Sequence, residues 1–236
     1  MWFDPMYLLF LAPAMLLAAW AQWRVSSAYA TASRIAPRSG FSGAEAAHEV
    51  MRAAHVPGVE IEPVQGFLSD HYDPRHKVLR LSPDVYSGRS LAALGIAAHE
   101  AGHAIQDAHR YAPLVVRNGL VPLASVSGAL SWIIIMAGFV LASAEPFLGH
   151  WLLLLGIGAF SLTVIFQLVN LPVEFDASRR ARIALNDGGL ITAEEDHYVK
   201  KVLDAAALTY VAATLSSILT LLYFLVRSGL LGSSRD

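Results

Sequence analysis

Four long stretches of the chain carry no Lys, Arg, Asp or Glu: residues 5–23, 118–144, 146–173 and 205–226. A helix needs about 20 apolar residues to cross a bilayer, so each stretch predicts a membrane span. Burying four such helices inside a soluble domain would leave only about a hundred residues to cover them, too little surface. The first stretch lacks a basic leader and a small-residue cleavage site, so it reads as a retained span, not a signal peptide. The chain thus divides into transmembrane helix 1 (1–23), a polar region (24–117), a transmembrane hairpin (118–173), a second polar region (174–204), transmembrane helix 4 (205–226) and a tail (227–236).

The polar regions show different periods. Ser42 and Glu45 stand at capping-box spacing, and Ala44, Ala47, Met51 and Ala54 follow at helical period. "VEIEPV" (59–64) and "KVLRLS" (77–82) alternate and are rich in branched residues, which predicts strands. The second strand reads either as an edge on which an extended peptide is laid or as an interior strand. Between them "GFLSDHYDPRH" is a turn-rich loop. Leu91, Leu94, Ala98 and Ile105 then form a helical stripe. Residues 174–185 read as helix, "NDGG" as a break, and "TAEEDHYVKKVL" as a helix leading into the fourth span. The expected fold is a mainly α membrane protein: four transmembrane helices with a small α+β, zincin-like cytoplasmic region.

Composition and charge narrow the function. The chain of 236 residues is 55% hydrophobic and 15% charged, with mean hydropathy +0.48. A net charge of -2 offers no basic stripe for phosphates, so nucleic acid is not an expected partner. The absence of cysteine leaves only His, Asp and Glu as metal ligands. Every Lys and Arg lies in 24–117, 174–204 or the tail. The positive-inside rule therefore places both polar regions in the cytoplasm. Arg179, Arg180 and Arg182 read as interfacial charges beside anionic headgroups.

Within the predicted helix stands His99-Glu100-Ala101-Gly102-His103. Residues four apart on a helix share a face, so both imidazoles can reach one zinc ion. Glu100 is rotated about 100° from His99, which puts its carboxylate beside the metal as general base for a bound water. Zinc lowers that water's pKa towards ~7.

"DHYDPRHKVLRLSPDVYSGRSLAALGIAAHEAGHAIQ" and "NLPVEFDASRRA" resemble the YugP-type bacterial membrane zinc metallopeptidases over residues 40–226. HtpX-type and CAAX prenyl proteases are more distantly similar. The resemblance implies a membrane-bound, gluzincin-type endopeptidase of the bacterial inner (plasma) membrane with one Zn2+ per chain. In the HtpX-type pattern an Asp follows the ligand glutamate by four residues; here Glu174 is followed there by Ser178, and Asp176 or Asp107 are the candidates to support the ligands.

Two residues compete for third ligand. His109 follows His103 at metzincin spacing, but "AIQDAH" contains no helix breaker. On a continuing helix His109 points about 120° away from His103. Glu174 ends a span, where a carboxylate is costly unless paired or metal-bound. Helix continuity and the resemblance favour Glu174. In "SDHYDP", His71 and Tyr72 are candidate substrate or transition-state contacts, against a self-bonded turn. The expected function is hydrolysis of a peptide or membrane-protein substrate at the bilayer surface, with an oligomer or regulatory partner conceivable. The alternative is a catalytically silent metal-binding scaffold or partner of a larger protease.

Overall fold

The computed structural model describes residues 5–66 and 69–231; residues 1–4 and 232–236, the outer parts of the expected first span and tail, lie outside the described residues. The element order is α1 (Pro5–Ala32), α2 (Gly43–Ala53), β1 (Glu60–Pro63), β2 (His71–Asp73), β3 (Val78–Leu81), α3 (Pro83–Tyr86), α4 (Leu91–Ala108), α5 (Ala112–Leu141), α6 (Pro146–Asp187) and α7 (Ala193–Arg227). Among the described residues, α1, α5, α6 and α7 are long and apolar enough to cross a membrane. The protein is therefore a mainly α membrane protein with a small α+β region. The chain falls into two compact units, one of residues 20–115 and 171–209, the other of the remaining described residues.

The first unit is built around α4. Ser90 caps that helix by accepting from the Ala93 N–H. Leu91, Leu94, Ala98 and Ile105 are buried as the stripe predicts. Most of the other buried positions are alanine: Ala92, Ala97, Ala101 and Ala104, facing Ala46, Ala47 and Ala181 in the same core. Ser42 and Glu45 form the expected capping box on α2, each side chain bonding the other residue's backbone N–H.

The sheet has order β1-β3-β2, with β1 parallel and β2 antiparallel to β3. Residues 78–81 are thus the interior strand, not a free edge. Val78, Leu79 and Leu81 are buried, which requires cover on both faces. Strand β2 arises inside the stretch read as loop. Three residues are too few for a recognisable alternation, and pairing Tyr72 to Leu79 brings them in.

Helix α6 also corrects an expectation. Glu174 does not begin a helix; it lies inside one that runs unbroken through Pro172. A proline removes one backbone donor, which a helix of 42 residues absorbs without ending. The chain breaks where "NDGG" predicts, with Gly189 at φ +64°.

The second unit packs large side chains: Ile135, Leu153, Ile157, Phe160, Val164, Tyr223 and Phe224. Its outward faces are apolar, with Leu9, Leu16, Ile133 and Val140 each about two-thirds exposed. Such faces suit lipid and not water.

Candidate metal centre

His99 and His103 project from one face of α4, their ring centroids 4.8 Å apart. Close packing of α4 on α6 brings Glu174 to them. A Cβ on Gly102 would lie 2.6 Å from the Ala177 carbonyl oxygen, so only glycine permits this backbone approach. Glu174 Oε2 then stands 3.3 Å from His99 Nε2 and 3.7 Å from His103 Nε2. Zinc–nitrogen bonds of about 2.0–2.1 Å in a tetrahedron separate ligand atoms by about 3.3–3.4 Å. The three side chains fit such an ion.

Hydrogen bonding around the site points the same way. The Gln106 amide nitrogen donates to Val173 O at 2.8 Å and to Asp176 Oδ2 at 2.9 Å. Both partners are acceptors, which fixes the amide's orientation. Its oxygen therefore faces His103 Nδ1 at 3.0 Å and must accept from it. With that proton on Nδ1, the neutral His103 ring turns the Nε2 lone pair towards Glu174. His99 Nδ1 is likewise occupied, by Ser178 Oγ at 3.1 Å. Glu174 Oε2 is buried and accepts no hydrogen bond. Two Nε2 atoms converging on a buried carboxylate oxygen that accepts no hydrogen bond suit a cation. The site is negative: burial pushes the His103 pKa down, but Glu174 and the charge of Glu100 outweigh it and raise it, so without a metal a proton is drawn to the same atoms.

Glu100 links α4 to β2. Its Oε2 accepts the backbone N–H of Tyr72 at 3.1 Å. Tyr72 in turn donates its hydroxyl to Asp107 at 2.7 Å, and Lys77 bonds the same carboxylate oxygen. Burial, reinforced by Asp107, raises the Tyr72 phenol well above its ordinary range. Asp107 therefore braces β2 against α4 and bonds neither histidine, whereas Asp176 reaches His103 through Gln106. His71 is exposed, its Nδ1 on Ser69 O at 2.8 Å. Asp73 closes a local turn by taking the N–H groups of Arg75 and His76, and Asp70 takes that of Ser82, just past β3.

His109 caps the C-terminus of α4 and lies by Arg180, outside the cluster. Among the described residues, His99, His103 and Glu174 are the group placed to hold a metal, their ligand atoms all within 4.8 Å of one another. Sequence reasoning passed over Gln106 and Ser178 as support for the histidines. The signal for Gln106 was slight: an uncharged polar side chain one turn past His103. The arginines read as interfacial charges also pair within the protein. Arg179 and Arg180 pair with Asp176, and Arg182 grips Asp196 with two nitrogens.

Residues 7–229 match the family described as "Putative neutral zinc metallopeptidase". The chain belongs to that family. It is similar to the "Putative membrane protease YugP" of Bacillus subtilis (strain 168), at 42% identity over 222 residues, 94% of this chain and 96% of that one. No solved structure matches it. A zinc-peptidase family implies zinc, and a His, His and Glu donor set without thiolate suits that ion with a coordination position to spare.

Proposed function

We propose that this protein is a membrane-embedded zinc endopeptidase that hydrolyses peptide bonds at the cytoplasmic surface of a bacterial inner membrane. The observation that carries this reading is the convergence of His99 and His103 Nε2 on a buried Glu174 oxygen that accepts no hydrogen bond, with Glu100 next to His99 on the same helix. His99, His103 and Glu174 would hold one zinc ion per chain. When bound, zinc supplies Lewis acidity and brings a water's pKa towards ~7.

The chain's own residues account for the proton. Glu100 takes it from the attacking water and returns it to the leaving amine. The Tyr72 N–H holds one oxygen of Glu100 and leaves the other for this task. Gln106 and Ser178 keep the imidazole protons on Nδ1, so that Nε2 stays a ligand atom. Asp176, itself held by two arginines, anchors Gln106. A structural metal site needs a closed shell and no base, so Glu100 weighs against a silent scaffold.

Purified protein loaded with zinc should cleave unstructured casein, and Glu100→Gln should lose at least a thousandfold of that activity while keeping its metal. Equal cleavage by both proteins, or none by either at full zinc loading, would favour the scaffold. The membrane side rests on the distribution of Lys and Arg and is tested separately. The chain has no cysteine, so single-cysteine variants report cleanly. In intact cells an impermeant maleimide should label Ser143→Cys, between α5 and α6, but not Ser87→Cys beside α3. The reverse pattern would move proteolysis outside the cell.

A further inference from the structure

The arginines of α6 hold carboxylates: Arg179 and Arg180 share Asp176, and Arg182 grips Asp196. Two other cations stand where spans leave the apolar layer. The charge-free run of α1 ends at Trp23, and Arg24 follows at once; Lys201 precedes the apolar run of α7 by one helical turn. Both line one groove of about 200 Å³ with Trp23, Ser27, Thr31 and Tyr198. Among the described residues neither Arg24 nor Lys201 pairs with a carboxylate. The neighbouring acid Asp204 is already engaged by Lys200.

The groove is built along both helices. Arg24, Ser27 and Thr31 share one face of α1 at helical period, and Tyr198 and Lys201 share one face of α7. Arg24 lies over the Trp20 ring, 5.3 Å from its centroid, which holds the guanidinium at the depth of the tryptophans. Trp20 and Trp23 are themselves exposed, 47% and 66%. Tryptophan at a span end sits at headgroup level, with its ring in the acyl boundary and its N–H towards water. Thr31 spends its hydroxyl proton on the Ser27 carbonyl, while the Ser27 hydroxyl has no partner among the described residues.

We propose that this α1/α7 groove binds the phosphate of an anionic phospholipid headgroup. Arg24 and Lys201 supply the charge, Ser27 and Tyr198 supply hydroxyl donors, and Trp23 walls the acyl side. A zwitterionic headgroup carries its own cation and gains less from two uncompensated positive groups. The site is separate from the candidate metal centre and does not depend on hydrolysis.

The experiment uses the full chain in detergent with phosphatidylglycerol or phosphatidylcholine, and reads lipid retention by native mass spectrometry and thermal stability. Wild type should retain phosphatidylglycerol over phosphatidylcholine and melt higher with it. Each cation near an anionic surface contributes roughly a fivefold factor, so Arg24→Gln with Lys201→Gln should weaken retention about 25-fold. Arg75→Gln with Arg110→Gln removes the same charge elsewhere and should retain the lipid. Ser27→Trp fills the groove with both cations intact and should lose it, which keeps the test open if the double variant fails to fold. Equal retention of both lipids, or equal loss in the Arg75 and Arg110 control, would overturn the site. Inorganic phosphate that raised the melting temperature as much as phosphatidylglycerol and displaced it would assign the groove to a soluble ion instead.

Discussion

The two units of this protein are packed differently. Along α4 the buried residues are mostly small, and a backbone comes close: Gly102 touches the backbone of Ala177. In the other unit large side chains cluster, with Phe160 5.9 Å and the exposed Trp132 5.2 Å from Phe224 in edge-on contacts. Large side chains can adjust by rotating. Small ones hold backbones at a set distance with nothing to adjust. A metal site tolerates errors of only tenths of an ångström in its ligand atoms, so ligands drawn from two helices belong in an alanine core. The cluster of large side chains anchors helices where no such tolerance applies.

The sharpest test removes the residue that α6 brings to α4. Glu174→Ala should abolish stoichiometric zinc and activity together, while His109→Ala should bind one zinc per chain, as metal analysis will show. Zinc lost from His109→Ala but kept in Glu174→Ala would reassign the site.

One added methyl in each unit then compares the two packings directly. Gly102→Ala places a carbon against the Ala177 carbonyl, so α4 and α6 must part, and zinc affinity should fall about a hundredfold. Gly156→Ala, whose Cβ would lie 2.9 Å from the Ile135 nitrogen, should cost about 1–3 kcal/mol of stability and leave zinc affinity unchanged. Equal effects on zinc would mean that the alanine core has no special bearing on the site.

A smaller loss is expected at Gln106→Leu, which keeps the bulk but frees the His103 Nδ1 proton and strands Asp176. Support of this kind is worth roughly 10–100-fold in metal affinity, measurable by competition with a chelator. An unchanged affinity would show that helix packing alone orients His103.

The mildest effect concerns pH. Protons compete with the metal for the imidazoles, and the raised pKa of metal-free His103 makes the competition begin above the ordinary value of about 6.5. Zinc content should therefore fall as pH falls, starting above that point. Full occupancy well below pH 5 would exclude His99 and His103 as ligands.

Much of this was legible in the residues alone because it is local. Charge-free runs mark the spans, a period of 3.6 places His99 and His103 on one face, and Ser42 with Glu45 announces a helix start. The preference for Glu174 over His109 needed only that α4 not turn back, a property of the segment itself. What lay beyond reach depends on partners distant in the chain. Strand β2 exists because β3 pairs with it, and β3 is interior because two strands found it. Arg182 of α6 grips Asp196 of α7 because the two helices pack, which neither segment declares alone. Periodicity states which face of an element is apolar. The tertiary fold decides which faces meet, because that choice is made by the fit of small side chains, as where Gly102 admits the backbone of Ala177 and so carries Glu174 to the histidines.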